Sequence, residues 1–246
     1  MQKNYKVSLV GIFTLLFLAG ICTMFYPYIR GDIVDQQLGM TAEEFLNRME
    51  PTDESEIIFT APTEPEETRP NHALWGEMQA YNNTLYESKQ ILLQNISDYV
   101  QPSFVLTEYG LEDDIFGVIS IPKLEVELPI YLGASDANMA AGAAHMSQTS
   151  IPIGGENTNA VIAAHRGWNG ATYFLNIHKL IYGDTVTVTN LWDTLTYEVR
   201  DIKIIDPSDV ESIHIQEGKD MITLMSCHPI ASGGKQRYLV FCERLT

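Results

Sequence analysis

The sequence predicts a mostly β protein, a closed or nearly closed barrel with short helices, preceded by a membrane-spanning helix and a second helical segment. Three observations lead there. An uncharged apolar run fills residues 7–26 of the 246-residue chain. From Ile115 on, stretch after stretch is rich in β-branched and aromatic residues. Only short helices fit between those stretches.

Taken in order, MQKNYK comes first and VSLVGIFTLLFLAGICTMFY follows, about 20 residues and so long enough to cross a bilayer as a helix. Lys3 and Lys6 precede the run, which assigns residues 1–6 to the cytoplasm and the bulk of the chain to the outside. A cleaved signal peptide would have a shorter apolar core and a small-residue exit site, and Cys22-Thr23-Met24-Phe25 is a poor one. LAGIC comes near a lipoprotein site, but Ile21 stands where a small residue is needed. Residues 7–27 therefore read as an uncleaved anchor.

Residues 28–70 read as an acidic spacer. Between Gly31 and Glu67, Asp and Glu far outnumber the single Arg48, which predicts a solvated, partly disordered segment; binding of a basic partner is the alternative. In residues 71–110, Leu74, Met78, Tyr81, Leu85, Ile91 and Leu92 recur at helical spacing, predicting one or two amphipathic helices with a break near Asn82-Asn83. Residues 111–246 hold the strand-like stretches IFGVISIP, VELPIY, NAVIAAH, DTVTVTNL, TLTYEVRDIKII, MITLMS and RYLVFC. The alternation of Thr and Val over residues 185–189 makes one face wet, and the long TLTYEVRDIKII can bend into two strands, for seven or eight in all. Short helices fit at Asp136 to Ala143 and Ala171 to Lys179. A hydrophobic content of 45% is ample for a core, and a net charge of -17 argues against nucleic acid or anionic headgroups as partners.

The three cysteines separate by place. Cys22 lies in the apolar run; Cys227 and Cys242 lie outside it. A bridge between the latter two on neighbouring strands is one reading, and a buried, apolar Cys242 is the other. Cys227 ends an apolar run, Arg237 opens the next, and the segment between carries Pro229 and Gly233-Gly234. That is strand, irregular loop, strand, with both side chains at the rim where grooves form. A cysteine nucleophile needs a proton partner and a stabiliser of negative charge. Of six histidines, His72, His178 and His214 read as solvated. His228 adjoins Cys227, yet neighbours on an extended chain point apart. His145 and His165 remain. His165 closes NAVIAAH before the turn-like RGWNG and so occupies a strand end, though a hydrogen-bonded structural role is equally open.

In that order, AAHRG at 163–167, TLMSC at 223–227 and QRYLV at 236–240 resemble the His, Cys and Arg signature of sortases, the membrane-anchored transpeptidases of Gram-positive bacteria. The likeness spans about 116–245. Within it, ISIPKLEVELPIYLG and GAAHMSQTSIPIGGENTNAVIAAHRG look most like class C, the pilin-polymerising group. The resemblance implies an eight-stranded barrel, with Cys227 as nucleophile, His165 as general acid/base, and Arg237 holding substrate and oxyanion. It implies a structural His145. The substrate implied is a secreted protein with a C-terminal LPXTG-like signal, cut between Thr and Gly, and the acyl group passes to an amine on the outer membrane face. A pilin lysine is the expected acceptor, and a peptidoglycan precursor amine is the housekeeping alternative.

AYNNTL at 80–85 and QPSF at 101–104 match the region of the class C lid, which makes Pro102 and Phe104 lid residues. Here Gln101 replaces the lid aspartate and Ser103 separates Pro102 from the aromatic. Ser226 replaces the customary threonine before the cysteine. No second hydrophobic segment follows the barrel, which is the housekeeping pattern of anchoring. Ser226, Ile230 and Ile151 are expected substrate contacts, with Met139 and Ile153 as further apolar candidates, and core packing is open for each. No cofactor or metal is expected, since the acidic residues lack the spacing of calcium loops. A cysteine peptidase, and a non-catalytic tethered barrel with Cys227 buried, are the rival readings.

Overall fold

The computed structural model describes residues 2–49, 69–91, 93 and 100–245. Among the described residues, three α-helices and ten strands follow one another: α1 (Gln2–Met49), α2 (His72–Glu87), β1 (Ile115–Ile121), β2 (Val126–Leu132), α3 (Asp136–Ala141), β3 (Ala143–His145), β4 (Thr158–Ala163), β5 (Arg166–Trp168), β6 (Ala171–Tyr173), β7 (Thr185–Asn190), β8 (Thr194–Ile205), β9 (Asp220–His228) and β10 (Gln236–Arg244). Eight strands close a barrel in the order β1-β2-β3-β4-β9-β10-β8-β7, and β5-β6 is a separate hairpin. The fold is the eight-stranded barrel that the sequence and its resemblance imply.

Local sequence explains the closure. Val186 and Val188 of β7 are fully buried while the alternating threonines face outward, as a period of two requires. Gly117 sits where β1 slips register against β2. A Cβ there would strike the Thr189 carbonyl of β7, so only glycine lets the seam between first and seventh strands shut. The long stretch 194–205 is one strand rather than two. It absorbs its curvature at a bulge, where Phe241 and Cys242 of β10 pair with Asp201 and Val199 and leave Arg200 over.

Three expectations change. The acidic spacer is not solvated throughout: α1 runs unbroken through the apolar segment to Met49, and Leu38, Ala42 and Phe45 bury against the barrel. Those three recur at helical spacing inside a charged stretch, so one face packs while the acids point to water. Residues 50–68 of the spacer lie outside the described residues. The expected break at Asn82-Asn83 is absent from α2. Asn82 is buried, donates through Nδ2 to the Ile151 carbonyl (3.1 Å) and accepts at Oδ1 from the Ile151 amide (2.7 Å). It thus substitutes for a strand neighbour and leaves no buried backbone group unpaired there. The start of α2 is fixed by Trp75 edge-on to Trp192 (5.0 Å) and by Arg69, which stacks on Trp75 and pairs with Asp193 at 2.6 Å. The expected helix over Ala171 to Lys179 is instead β6 and a short 3-10 turn at Ile177–Lys179.

His145 is fully buried at the end of β3, with Nε2 donating to the Ser150 carbonyl at 2.9 Å. Burial holds its pKa down at about 4, the two carbonyl contacts opposing only in part. An unfolded histidine titrates near 6.5, so between those values the unfolded chain binds the extra proton and stability falls as pH falls. The expected loss from pH 6.5 to 4 is about 3 kcal/mol. Urea unfolding across that range measures it, and His145→Asn should flatten the slope.

Candidate active site

The site is built where two parallel strands end together. β4 runs parallel to β9, with Ala163 opposite Met225, and the Ala164 amide continues the ladder to the Met225 carbonyl. The Ser226 hydroxyl then donates to the Ala164 carbonyl at 2.8 Å. Parallel neighbours finish at the same edge, so His165 and Cys227 emerge on one rim although 62 residues separate them in sequence. β10 returns antiparallel and sets Arg237 directly opposite Cys227.

These three residues line one groove of about 280 Å³. Its far wall is apolar, from Met139, Met146, Met225, Ile205 and Val210, and Asp136 and Asp209 sit along its edges. Cys227 is exposed, whereas Cys242 is buried, where loss of water drives its thiol pKa far up. No bridge joins them: Cys242 pairs with Ile222, five positions along β9 from Cys227, about 17 Å away at strand rise.

Arg237 is steadied by the glycine loop, its Nη1 donating to the Gly234 carbonyl at 2.6 Å and the Gln236 carbonyl at 3.2 Å. A Cβ on Gly234 would lie 2.9 Å from that Nη1 and 3.3 Å from Cys227 Sγ. Only glycine, at φ +70° to +80° for the Gly233-Gly234 pair, lets the loop pass between them.

His165 is held by rings. It stacks on Trp168 (5.2 Å, 19°) and meets Tyr173 edge-on (5.6 Å, 88°). The Tyr173 hydroxyl is tied to the Ala140 carbonyl at 2.7 Å, which joins the hairpin to α3. Burial lowers the His165 pKa, and the negative charge of Asp136 raises it in partial compensation.

Arg166 went unassigned at the level of sequence, where it read as part of a turn. It is buried in front of β9, donating through Nη1 to the Cys227 carbonyl (3.2 Å) and to His228 Nδ1 (2.9 Å), with its guanidinium over the Tyr238 ring. A guanidinium only donates, so His228 accepts at Nδ1 and carries its proton on Nε2. Burial lowers the Arg166 pKa, while Tyr238 and Cys227 raise it, and it stays charged at neutral pH. The signal was the charged residue immediately after the histidine in AAHRG.

The remaining candidates scatter. Ser226 lines the groove, but its hydroxyl is already spent on Ala164. Met139 lines it too. Ile151 and Ile153 do not: Ile151 is wholly buried in the barrel core against Asn82, where no substrate side chain reaches, and Ile153 is buried in the same core. Ile230 is exposed on the loop beyond the groove. Pro102 and Phe104 line a neighbouring cleft, and only Val100 of that segment is shared with the groove. Phe104 is edge-on to Tyr81 (5.7 Å) and Ser103 donates to the Tyr81 hydroxyl, so the segment lies along the groove's flank.

Residues 119–245 match the family model for the sortase domain. The chain belongs to the sortase family. It is 30% identical over 132 residues to sortase D of Bacillus subtilis, a match covering 53% of this chain and 64% of that relative, less than two thirds of its length. Sortase C from Clostridium perfringens SM101 superposes with a TM-score of 0.62 at 27% identity, covering 84% of this chain and 99% of that one. Sortase C2 of pilus island 1 from Group B Streptococcus gives 0.59 at 32% identity, covering 70% and 97%. The solved structures most similar to this sortase are mostly class C.

Two outcomes follow for the site. Asp136→Asn should move the His165 titration midpoint down, by NMR, and the difference should shrink in high salt because Asp136 is exposed. Arg166→Met leaves the Cys227 carbonyl and His228 without their donor; Cys227 acylation or alkylation should slow roughly 10-fold or more, as for a lost charged hydrogen bond. Arg166→Lys should restore part of that rate, whereas a merely structural role would lower the melting temperature and leave the rate of the folded fraction unchanged.

Proposed function

We propose that this sortase is a membrane-anchored cysteine transpeptidase acting on an LPXTG-like sorting signal, with a pilin lysine as acceptor. The observation that carries the proposal is one exposed cysteine flanked on a single rim by a histidine and an arginine, beside an apolar groove. The groove's methionines and branched residues suit the leucine and proline of such a signal.

Cys227 as thiolate attacks the threonine carbonyl carbon, and the C–N bond to glycine breaks. His165 as imidazolium gives its proton to the departing amine, which would otherwise be a very poor leaving group. The acceptor amine then attacks the thioester, the C–S bond breaks, and the proton shed by the amine returns to His165. Arg237 cannot be a base. With Nη1 held on the loop, its other N–H groups serve the carbonyl oxygen as it becomes an oxyanion. A lowered His165 pKa makes the imidazolium scarce at neutral pH, and Asp136 at the groove edge moderates that cost.

The apolar helix from Gly11 on, with its large side chains exposed, supports the anchor, and positive Lys3 and Lys6 support a cytoplasmic N-terminus. The class C character of the solved neighbours, one of them named for a pilus island, supports the pilin lysine over the housekeeping acceptor.

Intact mass of the chain incubated with an LPXTG-type peptide tests this. The expected result is a thioester adduct on Cys227, absent in Cys227→Ala and discharged by amine. Faster discharge by a pilin lysine peptide than by a peptidoglycan-type amine supports the acceptor. An adduct that discharges only to water marks a peptidase, and an inert, unalkylated Cys227 marks a binding barrel.

A further inference from the structure

We propose that the tip of the β5–β6 hairpin, Trp168 to Gly170, seats in the membrane interface, clamped there by α1, so that the catalytic groove opens at the lipid surface. This rests on the membrane-anchor reading of α1.

The clamp is a backbone-to-backbone contact. A Cβ on Gly170 would strike the Pro27 carbonyl, and a Cβ on Gly31 would strike the Gly170 carbonyl. Two glycines one above the other let helix and hairpin touch without side chains between them. Four residues on, Asp35 accepts from the Thr172 amide (2.8 Å) and the Thr172 hydroxyl (2.8 Å), so the hairpin is locked to the helix at two levels. The helix carries on past the lock into the core through Leu38, Ala42 and Phe45. It is therefore no loose tether.

The height of the contact along α1 is fixed by sequence. The apolar run ends at Tyr26, and Arg30 is the first charge beyond it. From Tyr26 to Gly31 the helix rises about 7.5 Å, close to the depth of one headgroup layer. Gly170, against Pro27 and Gly31, falls within that layer. Exposed aromatics mark the same level: Tyr26 and Tyr28 on the helix and Trp168, 40% exposed, on the hairpin. Tyrosine and tryptophan with an apolar body and a polar tip are the residues that favour this zone.

The consequence reaches the chemistry because the hairpin begins at the catalytic rim. Trp168 is the ring on which His165 stacks at 5.2 Å. Three residues of extended chain span at most about 10 Å, so His165 lies within that distance of the interface. Such a groove takes a peptide presented at the membrane surface, with its scissile bond a few residues from the lipid.

Trp168 itself is the probe. The full chain is reconstituted in phosphatidylcholine vesicles carrying bromine high in the acyl chain, and its emission is compared with that of Trp168→Phe. Trp75 and Trp192 are packed against each other and supply the constant background. The expected result is that brominated lipid quenches roughly half or more of the Trp168-dependent emission, as for an interfacial indole. Gly31→Leu, a change on the helix, should keep the chain floating with the vesicles yet lose most of that quenching. Floatation with Trp168 unquenched overturns the seating while the anchor stands. Quenching unchanged in Gly31→Leu overturns the clamp. A chain that does not float removes the anchor and the inference with it.

Discussion

The structure depends on one pairing, the parallel contact of β4 with β9. Antiparallel neighbours joined by a short turn would place consecutive strand ends at opposite rims. The parallel pair instead delivers two strand ends from distant sequence to the same edge. The Ser226 hydroxyl on the Ala164 carbonyl extends that pairing by one step beyond the regular ladder, to the residues just before Cys227 and His165. A serine hydroxyl is sufficient for this bond. β10 needs only to return beside β9 to add Arg237.

The histidine is positioned differently from the cysteine. Cys227 is part of a strand inside the barrel wall, whereas His165 leaves the wall and is fixed by the small hairpin that follows it. Trp168 fixes its ring plane, Tyr173 its edge, and the Tyr173 hydroxyl is anchored on α3. Next to Tyr173, Thr172 is held by Asp35 of α1. The chain of contacts from helix to imidazole is thus short, and each link is a named bond or ring contact. Arg166 completes the arrangement from below, spanning the β5–β6 hairpin and the end of β9 through the Cys227 carbonyl and His228.

What was legible in the sequence was whatever is written in local pattern. The period of two in residues 185–189, the apolar strands and the ordered His, Cys and Arg stretches all carry over to the barrel. The hidden parts depend on partners distant in sequence. Asn82 reads as a helix breaker because its amide competes with the backbone, yet in the fold that amide satisfies the Ile151 amide and carbonyl. Leu38, Ala42 and Phe45 were spaced like a helix face, but their acidic surroundings read as solvated chain. Ala171 to Lys179 reads as helical, and the positive φ values of Gly170 and Tyr173, +89° and +42°, turn it into a hairpin strand instead.

The two cysteines of the barrel show how position alone separates an exposed thiol from a buried one. They lie on adjacent strands and both belong to apolar runs, but Cys227 borders the irregular loop through Pro229 and Gly233-Gly234, and that is what separates them in the sequence. Burial drives the Cys242 pKa up, and a thiol kept protonated and away from solvent is neither nucleophile nor ligand. Cys227 lies one residue before the end of β9, opposite Arg237, with the Gly234 turn against its sulfur. The strand supplies rigidity that a loop cysteine would lack. The barrel's edge therefore does two things at once: it exposes the sulfur and holds it in register with Arg237.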